Sequence, residues 1–311
     1  MALAGVGKLV TLGVFLTVGG KTAVAEYAFI TLGFSGNPTG ISDNGQITGA
    51  FSDAQGIHGF VYSAGTYTVI EDPAAPNFTE AYGINNSGQI VGFYNDATGN
   101  HAFIETGGTF TTVDDPSSVP GNTTGYGIDN SGQIVGHFAD ATGGHGFLYS
   151  GGTFTTINFP GAPNDLTAAF GVAGSDIAGY FYDAVGTHGF LDAAGTFTQL
   201  DDPNALPGKT FAVGVNVDGE VVGYYTDSIG SHGYVYLAGN YTTLDDPNAL
   251  PGNTFAEGIN AEGAIVGYYN DASGSHGFLA VPTPEPGTLT LLVGGGIILN
   301  TVFRKSRRMT S

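Results

Sequence analysis

The sequence predicts an all-β protein, a six-bladed β-propeller built from four-stranded repeats of 43 or 44 residues. Three observations support this prediction. The skeleton Asp-x-x-Gly-x-His-(Gly or Ala)-(Phe or Tyr) occurs six times, and successive histidines are 43 or 44 residues apart. No segment between residues 26 and 280 has helical periodicity over three turns. A spare strand also precedes the first repeat, and the last repeat lacks one.

Each repeat contains four short strands, separated by clusters of Ser, Asn, Asp and Gly that suit hairpin turns. In chain order the strands are of the types NTFAEGIN, AIVGYYN, HGFLA and NYTTLDD, which together match one propeller blade. The sixth repeat stops at HGFLA, residues 276–280, without its fourth strand. YAFITL, residues 27–32, resembles NYTTL, residues 240–244. We therefore predict that residues 27–33 complete the last blade and close the ring, which removes open sheet edges.

An open solenoid of stacked β units is the alternative architecture. It would leave YAFITL without a partner strand and would require capped ends. The predicted organisation is a signal peptide at residues 1–25, the propeller at residues 26–281, and a C-terminal sorting segment at residues 282–311.

The charge of the chain is unevenly distributed. Residues 26–283 contain 26 acidic residues and one basic residue, Lys209, for a formal charge of −25. Such a body repels nucleic acid and anionic lipid and attracts cations. The alternative is that the acidity only keeps an exported protein soluble. There is no cysteine, which excludes disulfides and thiol chemistry.

Both ends of the chain have the features of targeting segments. Residues 1–25 combine Lys8, the apolar run LVTLGVFLTV and the small-residue pattern Ala23-Val24-Ala25, which predicts cleavage before Glu26. A short membrane anchor or a buried N-terminal helix is the alternative. Near the other end, the apolar stretch 288–303 would span roughly 24 Å as a helix, against a hydrocarbon core of about 30 Å. We expect it to enter the membrane with the basic tail on the cytoplasmic side.

The C-terminal segment combines a short proline motif, the apolar stretch and a basic cluster. The motif and cluster residues are Pro284, Glu285, Pro286, Arg304, Lys305, Arg307 and Arg308. In this order the three parts resemble the PEP-CTERM sorting signal of Gram-negative bacteria. The resemblance implies recognition by an exosortase-type membrane enzyme and export in species that make exopolysaccharide. It also implies a tether in the inner membrane before processing, and a later location at the cell surface or in the extracellular matrix. Gly294–Gly296 and Asn300 depart from a continuous apolar helix. A plain C-terminal anchor would give nearly the same topology.

Each repeat contains one short tripeptide that begins with the repeat histidine. It reads His101-Ala102-Phe103 in the second repeat, and His-Gly-Phe or His-Gly-Tyr in the other five. With this tripeptide the repeats resemble the HAF repeat of secreted bacterial proteins. The companion element Gly-Ile-Asn-x-x-Gly-x-Ile-Val-Gly is clearest at residues 83–92. The fourth repeat departs from it, because residues 171–179 are one residue short. The resemblance implies an extracytoplasmic location and no particular chemistry.

The repeated skeleton is first of all a candidate structural element. An Asp at the first position of a turn accepts backbone N–H groups, a Gly three residues later takes positive φ, and the His opens the next strand. The aromatic residue two positions on shares the face of the histidine and packs between blades. The pairs are Asp53 and His58, Asp96 and His101, Asp140 and His145, Asp183 and His188, Asp227 and His232, and Asp271 and His276. A catalytic site needs such a pair once, so sixfold repetition favours structure, with ligand or cation binding as the second interpretation.

A shared acidic face is the second candidate site. In a propeller the turns between second and third strands lie at the same end as the connections between blades, and those connections are acidic. Their candidate residues are Asp72, Asp115, Asp202 and Asp246. Carboxylates suit Ca²⁺, which takes 6 to 8 oxygen ligands, although no stretch matches a known calcium loop. Six histidines on a ring are too far apart to share a transition metal.

Motifs of catalysis are absent from the sequence. It contains no G-x-S-x-G, H-E-x-x-H or P-loop, and it has no Trp for a sialidase-type Asp box. Adjacent loop acids are more often turn formers than an acid/base pair, so we assign no catalytic residue. A hydrolase or lyase that acts on matrix glycans through loop carboxylates is the alternative.

Six tyrosines near the same end suggest a sugar-binding surface. Alternatively, their rings pack between blades as part of the core. They are Tyr94, Tyr180, Tyr224, Tyr225, Tyr268 and Tyr269. The sequence thus predicts an exported, non-catalytic binding or scaffold propeller linked to exopolysaccharide, multivalent through its repeats. Its predicted partners are the exosortase-type enzyme and polysaccharide or other matrix components, with Ca²⁺ as the one candidate cofactor. A purely structural matrix protein is the other alternative.

Overall fold

The computed structural model of the chain describes residues 26–34, 36–162 and 166–283. The predicted signal peptide and the sorting signal from Pro284 to Arg308 lie outside these residues. In the described ranges, no helix has the length and apolar character needed to cross a membrane.

The described residues form six four-stranded antiparallel sheets, one per repeat. We number these blades 1 to 6 along the chain, and the first strand of each blade is its innermost. The closing strand is β1 (Tyr27–Thr31). Blades 1 to 3 contain β2 (Asn37–Ile41), β3 (Ile47–Ser52), β4 (Ile57–Ser63), β5 (Thr66–Ile70), β6 (Thr79–Ile84), β7 (Ile90–Asp96), β8 (Gly99–Thr106), β9 (Thr109–Thr112), β10 (Thr123–Ile128), β11 (Ile134–Ala139), β12 (Gly144–Ser150) and β13 (Thr153–Ile157). Blades 4 to 6 contain β14 (Thr167–Ala173), β15 (Asp176–Tyr182), β16 (Thr187–Ala193), β17 (Thr196–Leu200), β18 (Thr210–Val215), β19 (Val221–Thr226), β20 (Ser231–Leu237), β21 (Asn240–Leu244), β22 (Thr254–Ile259), β23 (Ile265–Asp271) and β24 (Gly274–Pro282).

The ring closes through β1. The last sheet has the strand order β1-β24-β23-β22, and β1 pairs antiparallel with β24 from Tyr27↔Pro282 to Thr31↔Phe278. The ring of Phe29 packs 5.4 Å from that of Phe278. The N-terminal segment therefore supplies the fourth strand of blade 6. The predicted six-bladed propeller is confirmed, and the open solenoid is excluded.

One aromatic ring per blade fills the space between neighbouring sheets. The six rings are fully buried and follow the repeat histidines by two positions: Phe60, Phe103, Phe147, Phe190, Tyr234 and Phe278. Five of these rings lie over a glycine of the second strand, and the sixth residue, Tyr234, pairs with Gly223 of that strand. A Cβ atom at Gly49, for example, would lie 2.7 Å from the ring of Phe60. The Gly and the aromatic residue of each repeat are thus two halves of one packing contact.

The innermost strands line a central channel and share an irregularity that positions the candidate site. In every blade the pairing register between the first and second strands skips one residue, a β-bulge. A bulge turns the extra side chain away from its regular direction. Five of the bulged residues line the channel: Thr39, Tyr126, Phe170, Val213 and Glu257. The ring of the sixth, Tyr82, packs 5.1 Å from that of Tyr126.

Candidate functional site

The aspartates of the repeated skeleton cap the turns between second and third strands. In each turn, Oδ1 of the Asp accepts the backbone N–H two residues later at 2.6–2.7 Å. The Gly that follows adopts positive φ, as at Gly56 (151°) and Gly186 (150°). Because a Cβ at Gly186 would lie 2.4 Å from the carbonyl oxygen of Gly208, this turn also needs Gly for the close approach of the connection between blades.

Each repeat histidine is held on two sides. Its Nε2 lies 3.0–3.4 Å from Oδ1 of the Asp five residues earlier. Its ring packs on an aromatic ring of the second strand at centroid distances of 5.0–5.3 Å. The structure therefore brings all six predicted Asp/His pairs together, each within its own blade, and these internal contacts favour the structural interpretation.

Four blades add a second carboxylate that the sequence analysis missed. It lies at the end of the fourth strand and contacts Nδ1 of the histidine at 2.6–2.9 Å. The four contacts are Glu71 with His58, Asp114 with His101, Asp201 with His188, and Asp245 with His232. Blade 3 has Asn158 in this place, 3.1 Å from His145. A histidine between two carboxylates donates both N–H groups only when it is protonated.

The electrostatics of the blade 5 pair follow from these contacts. Hydrogen bonds from the backbone N–H of Ile229 and Gly230, followed by the charge of His232, lower the pKa of Asp227. Burial lowers the pKa of His232, but its hydrogen bond to Asp245 and the charges of Asp245 and Asp227 outweigh burial and raise it. Both shifts favour the charged pair.

The expectation of an exposed acidic face is corrected for the four residues assigned to it. Asp72, Asp115, Asp202 and Asp246 are only 3–5% exposed. In each, Oδ1 accepts the backbone N–H two residues later at 2.8 Å, and the backbone N–H donates to a threonine of the next blade. These carboxylates are therefore buried turn caps in the connections between blades. The skeleton aspartates and the carboxylates on Nδ1 are more accessible, with side chains 24–46% exposed.

One mouth of the channel, here the turn mouth, is formed by the turns between first and second strands. A cavity of about 220 Å³ lies there. Asp43 accepts the Nδ2 amides of Asn86 and Asn130, at 2.6 and 3.2 Å, and the backbone N–H of Ala261 at 2.8 Å. These bonds join blades 1, 2, 3 and 6 across the axis. Most polar groups described at this mouth therefore already have hydrogen-bond partners within the protein.

The opposite mouth, here the connection mouth, carries a nearly continuous row of nine aromatic rings, which we call the aromatic horseshoe. Consecutive ring centroids lie 4.0–6.0 Å apart. In order from blade 2 to blade 6 its members are Phe93, Tyr82, Tyr126, Phe170, Tyr180, Phe211, Tyr224, Phe255 and Tyr268. All except Phe93 are partly accessible. The row is open at blade 1, where Thr39 and Ala50 occupy the corresponding positions.

Two carboxyl groups accompany the horseshoe. Glu80 accepts a hydrogen bond from the Tyr82 hydroxyl at 3.1 Å, and burial raises its pKa. Glu257 is the bulged residue of β22, and burial in the channel raises its pKa to about 8. Burial raises the pKa of Tyr82, Tyr224 and Tyr268, and negative charge on Glu257 raises it further, after the larger effect of Glu80 in the case of Tyr82.

The six predicted sugar-binding tyrosines fall into two groups. Tyr94, Tyr225 and Tyr269 are 3–7% exposed and stack on repeat histidines, so they belong to the interblade core. Their counterparts on the channel side belong to the horseshoe: Tyr180, Tyr224 and Tyr268. Beside them, a cavity of about 220 Å³ is lined by Tyr126, Tyr180, Tyr182 and His137, the one histidine outside the repeats. Burial lowers the pKa of His137.

Among the described residues, no group of three or more His, Cys, Asp or Glu side chains is close enough to hold a metal ion. The Ca²⁺ assignment stays a prediction.

The sequence analysis missed Glu80, Glu257, Tyr82, Tyr126 and the phenylalanines of the horseshoe. A signal existed in the spacing: the bulged residue precedes the repeat histidine by 18 residues in blade 4 and by 19 in the others. If the six repeats are aligned on their histidines, the bulged residue is the position that varies between repeats whose other residues are similar. Its meaning depends on ring closure, because only a closed ring brings the six positions to one axis.

Comparisons with known proteins address the fold alone. No family model and no curated protein matches the chain. Among solved structures, a gluconolactonase from Xanthomonas campestris superimposes with a TM-score of 0.52 at 13% identity, covering 83% of this chain and 90% of its own. A structural-genomics target provisionally described as a gluconolactonase gives a TM-score of 0.50 at 14% identity, covering 83% and 93%. At such identities the similarity shows a shared propeller fold.

Proposed function

We propose that the chain is an exported propeller of the cell surface or matrix that binds polysaccharide, with the aromatic horseshoe as its binding surface. One observation supports this most: partly accessible rings follow one another around a single channel mouth. Sugar rings pack against aromatic faces, and carboxyl groups accept their hydroxyl hydrogens. The adjoining cavity lined by Tyr180 and Tyr182 offers room for sugars that leave the axis.

The proposed location follows from the ends of the chain. The sorting signal would be cut by an exosortase-type enzyme near Pro284–Pro286 after export, and the signal peptide before Glu26. Mass spectrometry of the chain recovered from a Gram-negative host with such an enzyme tests this. We expect a product that begins at Glu26 and ends near Pro286. An uncut C-terminus in that host would favour a permanent membrane anchor.

Binding is tested with the purified chain on a glycan array, with and without EDTA. We expect binding to a defined class of polysaccharide, and its loss in Tyr224→Ala and Tyr268→Ala. Tyr149→Ala is the matched control, because Tyr149 is a partly buried tyrosine on β12, away from the channel. Loss of binding in EDTA would support the Ca²⁺ assignment. Retention of binding in both horseshoe variants would contradict the proposed surface.

A glycan hydrolase is the second candidate, and one observation favours it. Two carboxyl groups, Glu80 and Glu257, share one mouth, and both have raised pKa values, as a general acid requires. Release of reducing ends from the polysaccharide that binds, abolished in Glu257→Gln when the polysaccharide is saturating, would establish it.

A further inference from the structure

The opening of the aromatic horseshoe combines aromatic faces with two carboxyl groups. Glu80 lies on β6 in blade 2, and Glu257 on β22 in blade 6. The intervening blade 1 has neither ring nor charge at the same level, since Thr39 is its bulged residue. Tyr82 donates its hydroxyl to Glu80 at 3.1 Å, and Glu257 lines the channel together with Thr39. The two acids therefore lie on the two blades that flank the gap at blade 1.

We propose that this gap binds the protonated amino group of an amine-bearing polysaccharide, with the ammonium between Glu80 and Glu257 and against the ring of Tyr82. This inference rests on the proposed function and names its ligand class. An ammonium group is attracted both to carboxylates and to the faces of aromatic rings. Neutral sugars would gain only stacking and hydrogen bonds at the same place.

The charge of the whole body excludes the opposite ligand class. Residues 26–283 carry a formal charge of −25 with Lys209 as the one basic residue, so an anionic polysaccharide would be repelled. Lys209 precedes β18, on the connection between blades 4 and 5, and does not line the channel. A polycationic chain would be attracted over a distance and then selected at the gap.

Glu257 is the group that the ligand would satisfy. Glu80 has the Tyr82 hydroxyl as a partner. The Glu257 carboxyl makes no hydrogen bond with the described residues, and burial alone accounts for its raised pKa. None of the other five bulged residues is charged. An arriving ammonium would supply the missing positive charge and stabilise the ionised form of Glu257.

Calorimetry with the full chain at pH 7 tests the inference with two oligomers that differ only in the amine. We expect the glucosamine hexamer to bind about tenfold more tightly than the N-acetylglucosamine hexamer. Glu257→Gln should reduce this preference to about twofold or less and leave the affinity for the acetylated hexamer unchanged. Glu262→Gln, an exposed acid at the turn mouth, is the charge-matched control and should keep the preference.

The outcomes separate the two proposals. Equal affinities would overturn the amine inference and leave the polysaccharide proposal standing, whereas no binding of either hexamer or of any arrayed glycan would overturn both. Unchanged melting temperatures of the two variants show that a lost preference is not caused by unfolding.

A pH series with a trimethylated glucosamine hexamer adds a readout specific to Glu257, because the charge of that ligand does not titrate. Its affinity should rise with pH toward a plateau above about 8, and in Glu257→Gln only the smaller rise that comes from ionisation of Glu80 should remain. The other titratable groups facing Glu257 are Glu80, Tyr82, Tyr224 and Tyr268. The raised pKa values keep these tyrosines neutral throughout, and Glu80 stays in place in both proteins. A flat profile in the unmodified chain would contradict the role of Glu257.

Discussion

Tyr234 is the one member of the fully buried aromatic set that carries a hydroxyl. The other five blades have a fully buried phenylalanine at the same position, two residues after the repeat histidine. Its hydroxyl has no hydrogen-bond partner among the described residues, and one carboxylate oxygen of buried Asp202 is also unpartnered. Burial raises the pKa of the Tyr234 hydroxyl well above its usual value. A buried hydroxyl without a hydrogen-bond partner lowers the free energy of unfolding, and a phenylalanine ring in the same place would not have this cost.

We therefore expect Tyr234→Phe to increase the free energy of unfolding by about 1 kcal/mol. Denaturant unfolding measures this, with Phe190→Tyr as the reverse change in blade 4, expected to destabilise. A lower stability of Tyr234→Phe would mean that the hydroxyl has a bound water or another partner.

The Asp/His pair of blade 5 gives a second prediction at the residue scale. The double variant Asp227→Ala, His232→Ala should melt at a lower temperature, because it removes a turn cap, the contacts of a buried imidazole and its contact with Asp245. Ligand binding at the channel should be unchanged. A loss of binding at an unaltered melting temperature would contradict the structural interpretation of the skeleton.

The effect of this double change should depend on pH in a defined window. The folded-state pKa of Asp227 is below its ordinary 3.8, so its contribution is present above pH 3.8 and is lost as the pH falls. The pKa of His232 is above its ordinary 6.5, so its contribution is complete below pH 6.5 and is lost as the pH rises through the folded value. The difference in melting temperature from the unmodified chain should be largest between these two values. A difference independent of pH would show that charge is irrelevant to the pair.

At the scale of elements, the closing strand is the feature on which the ring depends. β1 is five residues long and partly buried, yet it covers the edge of β24 and contributes Phe29 to the core of blade 6. Deletion of residues 27–31 should open the ring, lower the melting temperature and expose β24 to proteolysis.

A circular permutant is the matched control for that deletion. The backbone N–H of Thr283 donates to the carbonyl of Glu26 at 2.7 Å, so a short turn can join the two residues and leave β1 attached to β24. We expect the permutant to retain the stability that the deletion loses. Equal stability of the deletion variant would contradict closure by β1.

The elements could be predicted well from the sequence because one period recurs six times. The spacing of the histidines predicts the length of each blade. The closure is predicted because the last repeat stops at HGFLA without a fourth strand, and YAFITL is an extra strand before the first repeat. The exposure of adjacent acids could not be predicted in this way. In the pair Asp201-Asp202, the first contacts His188 and the second lies beneath the turn, and this division depends on how the connection folds against the next blade.

At the scale of the whole molecule, sixfold repetition and function are separated in space. The repeated Asp/His turns are nearly alike in every blade and lie toward the outer strands. The channel positions differ from blade to blade, as Thr39, Val213 and Glu257 show. A repeated frame therefore carries a non-repeated inner surface, and only that surface can recognise an asymmetric ligand. The horseshoe became visible only in the closed ring, since its members come from five blades.

The charge of the molecule predicts how binding responds to salt. With a formal charge of −25 on residues 26–283, affinity for the glucosamine hexamer should fall as NaCl is raised from 50 to 500 mM, about tenfold or more. The acetylated hexamer serves as the uncharged control and should bind independently of salt. A salt-independent affinity for the amine would place its binding outside the acidic channel mouth.

A crystal structure of the chain in complex with the glucosamine hexamer tests the central claim most directly. We predict sugar rings stacked on the arc formed by Phe211, Tyr224, Phe255 and Tyr268, with an amino nitrogen about 3 Å from the Glu257 carboxylate. Sugar bound only at the turn mouth or on the outer strands, with the horseshoe empty, would contradict the account.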